Sequence, residues 1–157
     1  MDRRRSFARK QVIQELDQTV TATVEFFMHA RANLRDGDQS AREVISHLVF
    51  WHRDYARVAN ALAHNRTPRL LTGNFRDWNT RATEIYAPEV LSTLARRLQR
   101  AQRKLHRALV QIPNWRVNFP LKENIAFCSV SQHVPQIRAH MAGHLLRLER
   151  AERKTGK

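Results

Sequence analysis

The feature that most constrains this chain is an apolar seam at helical spacing, repeated in four separate segments. Its cleanest instance is Leu91, Leu94, Leu98, Ala101, Leu105, Ala108 and Ile112, which recur at alternating three- and four-residue steps. That spacing marks one buried face of a helix and fits neither a strand nor a loop. An earlier seam runs through Ile13, Leu16, Val20, Thr23, Phe27, Ala30 and Leu34. Asp36-Gly37-Asp38 is expected to end that helix, with Gly37 as its left-handed C-terminal residue. Ser40 and Glu43 form a capping box for a second helix. Its seam is Ile45, Leu48, His52, Tyr55, Ala59 and Leu62, with Val44, His47, Trp51 and Val58 on an adjoining stripe. This helix should stop near Asn65, because Thr67 precedes Pro68 and such residues avoid the α region.

Between the second and third seams, residues 66–88 read as a long loop, with at most a short helix through Ile85 and Tyr86 before Pro88. Long ordered loops tend to line sites, and this one holds Phe75, Trp78 and Asn79. A second break holds Pro113, Trp115, Phe119 and Pro120. A last helix, capped by Ser129 or Ser131, runs to about Arg153 with an inner stripe of His133, Ile137, His140, His144 and Leu148. Four helices with mostly short connections predict an all-α, antiparallel four-helix bundle with a long loop between its second and third helices. Only 4 Gly and 5 Pro in 157 residues argue against a β-sandwich or barrel. That length suits a single domain over 1–157, with residues 1–8 and 154–157 expected to fray.

No apolar run approaches the length of a membrane span. The lone Cys128 excludes an intramolecular disulfide and fits a reducing, cytoplasmic setting. Lys and Arg number 28 against 14 acids, a formal charge of +14 that attracts polyanions, so non-specific DNA is a candidate partner. Residues 90–122 contain eight Lys or Arg and no acid, and Arg96, Arg100, Arg103 and Arg107 share one outward stripe. A solvated helix face explains that stripe more simply than a nucleic-acid track, which would interleave aromatics. Nothing in the sequence decides between monomer and homodimer.

Eight histidines are present, and their placement matters more than their number. His140 and His144 are four apart, so both project to one side of a helix and could hold one ion. His133 shares that face seven residues earlier, and His47 on the second helix could reach across. Three imidazoles that leave one position open make a catalytic-type metal site. A neighbouring carbonyl or carboxylate should then hold the far nitrogen of each ring. The plainer alternative is a polar seam whose histidines bond one another or water. Trp51, Tyr55, Trp78, Tyr86 and Trp115 could line one end of the bundle, with Trp78 and Asn79 closing the end that holds His47. No phosphate-cradling glycine loop or nucleophile elbow is present, and no basic neighbour activates Cys128.

Taken in order, residues 40–55 (SAREVISHLVFWHRDY), the segment Phe75-Arg76-Asp77-Trp78-Asn79 with Ile85-Tyr86, the start Pro88-Glu89-Val90-Leu91 and the run His133-Val134-Pro135-Gln136-Ile137-Arg138 resemble the DinB-like superfamily. Within it, the Trp-Asn pair after a Gly-aromatic loop is most similar to the ClbS/DfsB family, the colibactin self-resistance type. The resemblance spans about residues 10–150. It implies a four-helix bundle, in many members holding a divalent metal such as zinc or nickel through one histidine of the second helix and two of the last. His47 matches the first of these. For the last helix, one register uses His133, whose partner four residues earlier would be Ser129; the other uses His140 and His144. The second is favoured because Ser129 is a poor ligand for such an ion. The resemblance further implies action on a small electrophilic, possibly genotoxic molecule, by hydrolysis that opens a cyclopropane or by thiol transfer. Its site would draw on His47, Trp78, Asn79 and Tyr55. Members close to the colibactin-resistance protein dispense with the metal triad, and a protein that shields DNA or sequesters a ligand without turnover is the alternative.

Overall fold

The computed structural model describes residues 3–120 and 127–155. They form an all-α protein of five helices: α1 (Arg3–His29), α2 (Ala41–Ala63), α3 (Phe75–Tyr86), α4 (Leu91–Gln111) and α5 (Val130–Thr155). Two short antiparallel ribbons complete it, β1 (Arg35–Asp36) with β2 (Gln39–Ser40), and β3 (Asn118–Pro120) with β4 (Phe127–Ser129). Helices α1, α2, α4 and α5 share one core, in which α4 packs on α1 and α2 while α5 packs on α1. Every seam residue expected on α4 is buried, and Leu94 and Leu98 have no exposed surface. None of the described helices is long and apolar enough to cross a membrane.

Four expectations need correction. The first helix ends at His29, well before Asp36-Gly37-Asp38; its expected seam residue Leu34 still reaches the core, but from the connection. Gly37 does take a positive φ of 59°, as the first loop residue of the β1–β2 hairpin and not as a helix C-terminus. A positive φ at that one position suits a two-residue hairpin, whose handedness must match the strand twist. The long loop is largely the helix α3, capped by the Asn74 side chain, which accepts from the Asp77 amide at 2.8 Å. Finally, His140 lies outside the buried face of α5, which is His133, Val134, Ile137, Met141, His144 and Leu148. Helix α5 packs mainly on α1 and only slightly on α2, and His140 is exposed.

Other ends follow the local chemistry. The Ser40–Glu43 capping box is formed in both directions, at 3.1 and 2.6 Å. Helix α2 closes in a Schellman motif: Asn65 has φ 53°, and the amides of Asn65 and Arg66 donate to the carbonyls of Leu62 and Ala61. Ser129 caps α5 by accepting from the Gln132 amide, while Gln132 Oε1 accepts from the Ser129 amide. Helices α1 and α5 extend through Arg3 and Thr155, inside the segments expected to fray.

Candidate metal centre

His47, His140 and His144 converge, each offering one nitrogen, with all three nitrogens within 4.8 Å of one another. His47 is delivered by the second turn of α2, which the capping box and the β1–β2 hairpin hold in place. His140 and His144 come from adjacent turns of α5, with ring centroids 4.6 Å apart. The Nε2 atoms of His47 and His144 lie 3.2 Å apart in a buried setting. Two nitrogens bound tetrahedrally at about 2.0–2.1 Å would sit about 3.3 Å apart, so this pair already has ligand spacing. His140 is exposed and offers the third nitrogen of the cluster.

Protonation suits the same role. His144 Nδ1 lies 2.5 Å from Asp36 Oδ2, and a carboxylate can only accept, so Nδ1 carries the proton and Nε2 presents its lone pair. Arg147 Nε donates to the other Asp36 oxygen at 2.6 Å. Burial pushes Asp36 up, but its bonds to Arg147 and His144 outweigh that and hold it below the usual carboxylate range. Burial, reinforced by His144 and His140, drives His47 down to about 3. Burial likewise lowers His140 and His144. All three rings are therefore neutral near pH 7, as ligands must be. The buried Nδ1 of His47 makes no hydrogen bond of good geometry with any described residue, although the Glu43 backbone lies near enough to favour its protonated form. Converging neutral nitrogens, one oriented by a carboxylate, fit a divalent ion.

The other expected site residues lie further along α2 and α5, or on α3. His133 does not join the cluster. It sits two turns from His140, buried edge-on against Tyr55 at 4.9 Å between centroids, and burial lowers it to about 4. Burial, with a smaller contribution from the Asp54 charge, raises the Tyr55 hydroxyl above the usual phenol range, so it stays protonated. Asn79 accepts from Trp51 Nε1 at 2.7 Å, one helical turn along α2 from His47. Trp78 stacks on Phe50 and donates its indole N–H to the Thr72 carbonyl at 2.6 Å, so that donor is committed to α3's own entry loop.

Two participants escaped the sequence reading, Asp36 and Arg147, since nothing in their spacing ties residue 36 to a helix more than a hundred residues later. A second polar chain was also unforeseen. Fully buried His52 bonds Gln102 Oε1 at 2.5 Å, Gln102 Nε2 donates to Asp17, and Asp17 receives His106 Nδ1 at 2.8 Å. Compared with protein-family models, curated proteins and solved structures, the chain finds no match.

Proposed function

We propose that the chain is an antiparallel four-helix bundle of DinB-like type, with α3 packed on its second helix, acting on a small electrophile at a metal held by His47, His140 and His144. The observation that carries this reading is the 3.2 Å approach of two buried imidazole nitrogens, one of them oriented by Asp36. Imidazole donors suit zinc or nickel. A bound ion would supply Lewis acidity and lower the pKa of a water or thiol at the open position. Asp36 fixes the tautomer of His144, and Trp51, held by Asn79, gives the neighbouring wall an apolar face. Tyr55 keeps its proton, so its hydroxyl remains available as a hydrogen-bond donor further along α2. Hydrolysis or thiol transfer by a ClbS/DfsB-like protein in the cytoplasm is the activity this arrangement supports best.

The deciding experiment is elemental analysis of tag-free protein purified without chelator, alongside turnover of an epoxide with and without a low-molecular-weight thiol. One zinc or nickel per chain, lost together with turnover in His47→Ala, is expected. Metal-free protein whose turnover survives His47→Ala would sink the mechanism and leave the fold. The +14 charge favours a second reading, protection of DNA without turnover, which predicts neither metal nor epoxide consumption.

A further inference from the structure

Away from the histidines, on the side of α2 that faces α4, lies a groove of about 900 Å³. Helix α3 packs on α2 but stands off α4, so α2 forms the floor and the other two helices the walls. The floor runs from Phe50 to His64, about 21 Å at 1.5 Å per residue. One wall is aromatic: Trp78 of α3 stacks on Phe50 at 5.4 Å and 21°, with Tyr86 further along. The opposite wall presents Lys104 and Arg107, which share one turn of α4. Both are exposed, and neither makes an ion pair or hydrogen bond with any described residue. The floor adds Arg53 and Arg57. Asp54 is the one acid among the residues that line the groove, and Arg57 already pairs with it at 2.6 Å.

We propose that this groove is a binding site for an elongated organic anion that carries an aromatic body and a phosphate- or sulfonate-type head. Flat apolar groups suit a wall that carries Phe50, Trp78 and Tyr86, whereas Lys104 and Arg107 opposite have no partner among the described residues to neutralise them. Tetrahedral oxyanions accept from lysine and arginine together, and a charge-assisted bond is about twice as strong as a neutral one. A neutral ligand of the same shape would leave Lys104 and Arg107 unused. The groove's length suits an extended molecule over a compact ion such as free phosphate. The site shares no residue with the histidine cluster, so it stands whether or not a metal is bound.

The test uses 8-anilinonaphthalene-1-sulfonate and N-phenyl-1-naphthylamine, which share an aromatic body and differ in the sulfonate. Fluorescence titration of tag-free protein should show one saturable site for the sulfonate, with the neutral compound at least about tenfold weaker. Lys104→Glu with Arg107→Glu should remove that preference; Lys104→Gln with Arg107→Gln should halve it on a logarithmic scale and serves if the reversed protein folds poorly. His140→Ala should bind the sulfonate as the unaltered protein does. Equal affinity for the two compounds overturns the proposal, and so does a preference that survives both double variants. Loss of binding in His140→Ala would move the ligand to the histidine cluster. Displacement of the sulfonate by an equimolar oligothymidylate would reassign the groove to single-stranded nucleic acid.

Discussion

His133 and His140 share one helix and the same chemistry, yet only His140 meets His47, because the register of α5 sets which ring faces which turn of α2. The residue that converts proximity into a ligand geometry is Asp36, whose carboxylate takes the Nδ1 proton of His144. Asp36→Asn would keep the shape but can present an amide N–H to that nitrogen and so favour the wrong tautomer. Loss of such outer partners costs about 10–100-fold in metal affinity. Competition with a chromophoric chelator should show that loss, with the circular dichroism unchanged. The buried His52 makes a separate prediction in metal-free protein. It is neutral in the fold, with burial pulling it to about 4 against only partial help from Gln102, and it ionises near 6.5 once unfolded. The unfolded chain therefore binds the extra proton, so stability is complete above pH 6.5 and falls as pH drops toward 4. A shift from 6.5 to about 4 amounts to about 3 kcal/mol. Urea midpoints should be level from pH 8 to 7 and decline below, with a shallower decline in His52→Gln.

At the scale of elements, what was legible in the sequence depended on how much each segment buries. The seam of α4 is periodic because a whole face of it meets α1 and α2, and so it reads directly from Leu91 to Ile112. Leu98→Asp places a carboxylate where no surface is exposed, and the cost of several kcal/mol is on the order of total stability. Thermal melts should show no cooperative transition; a folded mutant would misplace the seam. Helix α3 buries only Ala82 and Tyr86, so its pattern is drowned by polar residues and it resembles a loop. Its N-cap, Asn74 three residues before Asp77, was the signal that could have found it. The hairpin was illegible for another reason. Asp36-Gly37-Asp38 supports either a helix stop or a tight turn, and only the long-range bonds of Asp36 to α5 select the second. The His47 cluster was legible in its members and not in its support, because helical spacing predicts i, i+4 pairs but not a carboxylate arriving from a distant turn. Gly37→Ala should cost about 1 kcal/mol through its positive φ alone, since an added Cβ meets nothing within 4 Å.

For the whole molecule, the charge of +14 is unevenly answered by its own acids. Arg97 is satisfied by Glu89 and Arg57 by Asp54, each at 2.6 Å. The exposed residues Arg96, Arg100, Arg103 and Arg107 line one side of α4, which contains no acid to balance them. A duplex held along this row through phosphate contacts would be bound without regard to sequence, since such contacts position the duplex but carry no sequence information. Binding of this kind gains its free energy from released counterions. If a duplex binds here, four contacts should therefore give a log–log salt slope of about −3.6, at about −0.9 per phosphate. Arg100→Glu with Arg103→Glu should remove about half of that slope while leaving the melting temperature and the metal content unaltered. Fluorescence anisotropy with two unrelated duplexes, titrated over a range of salt, distinguishes the cases. Equal curves for both duplexes and a flattened slope in the variant are the expected result. A marked preference for one duplex at physiological salt would mean that some other surface reads bases, and an unchanged slope would remove α4 from the contact.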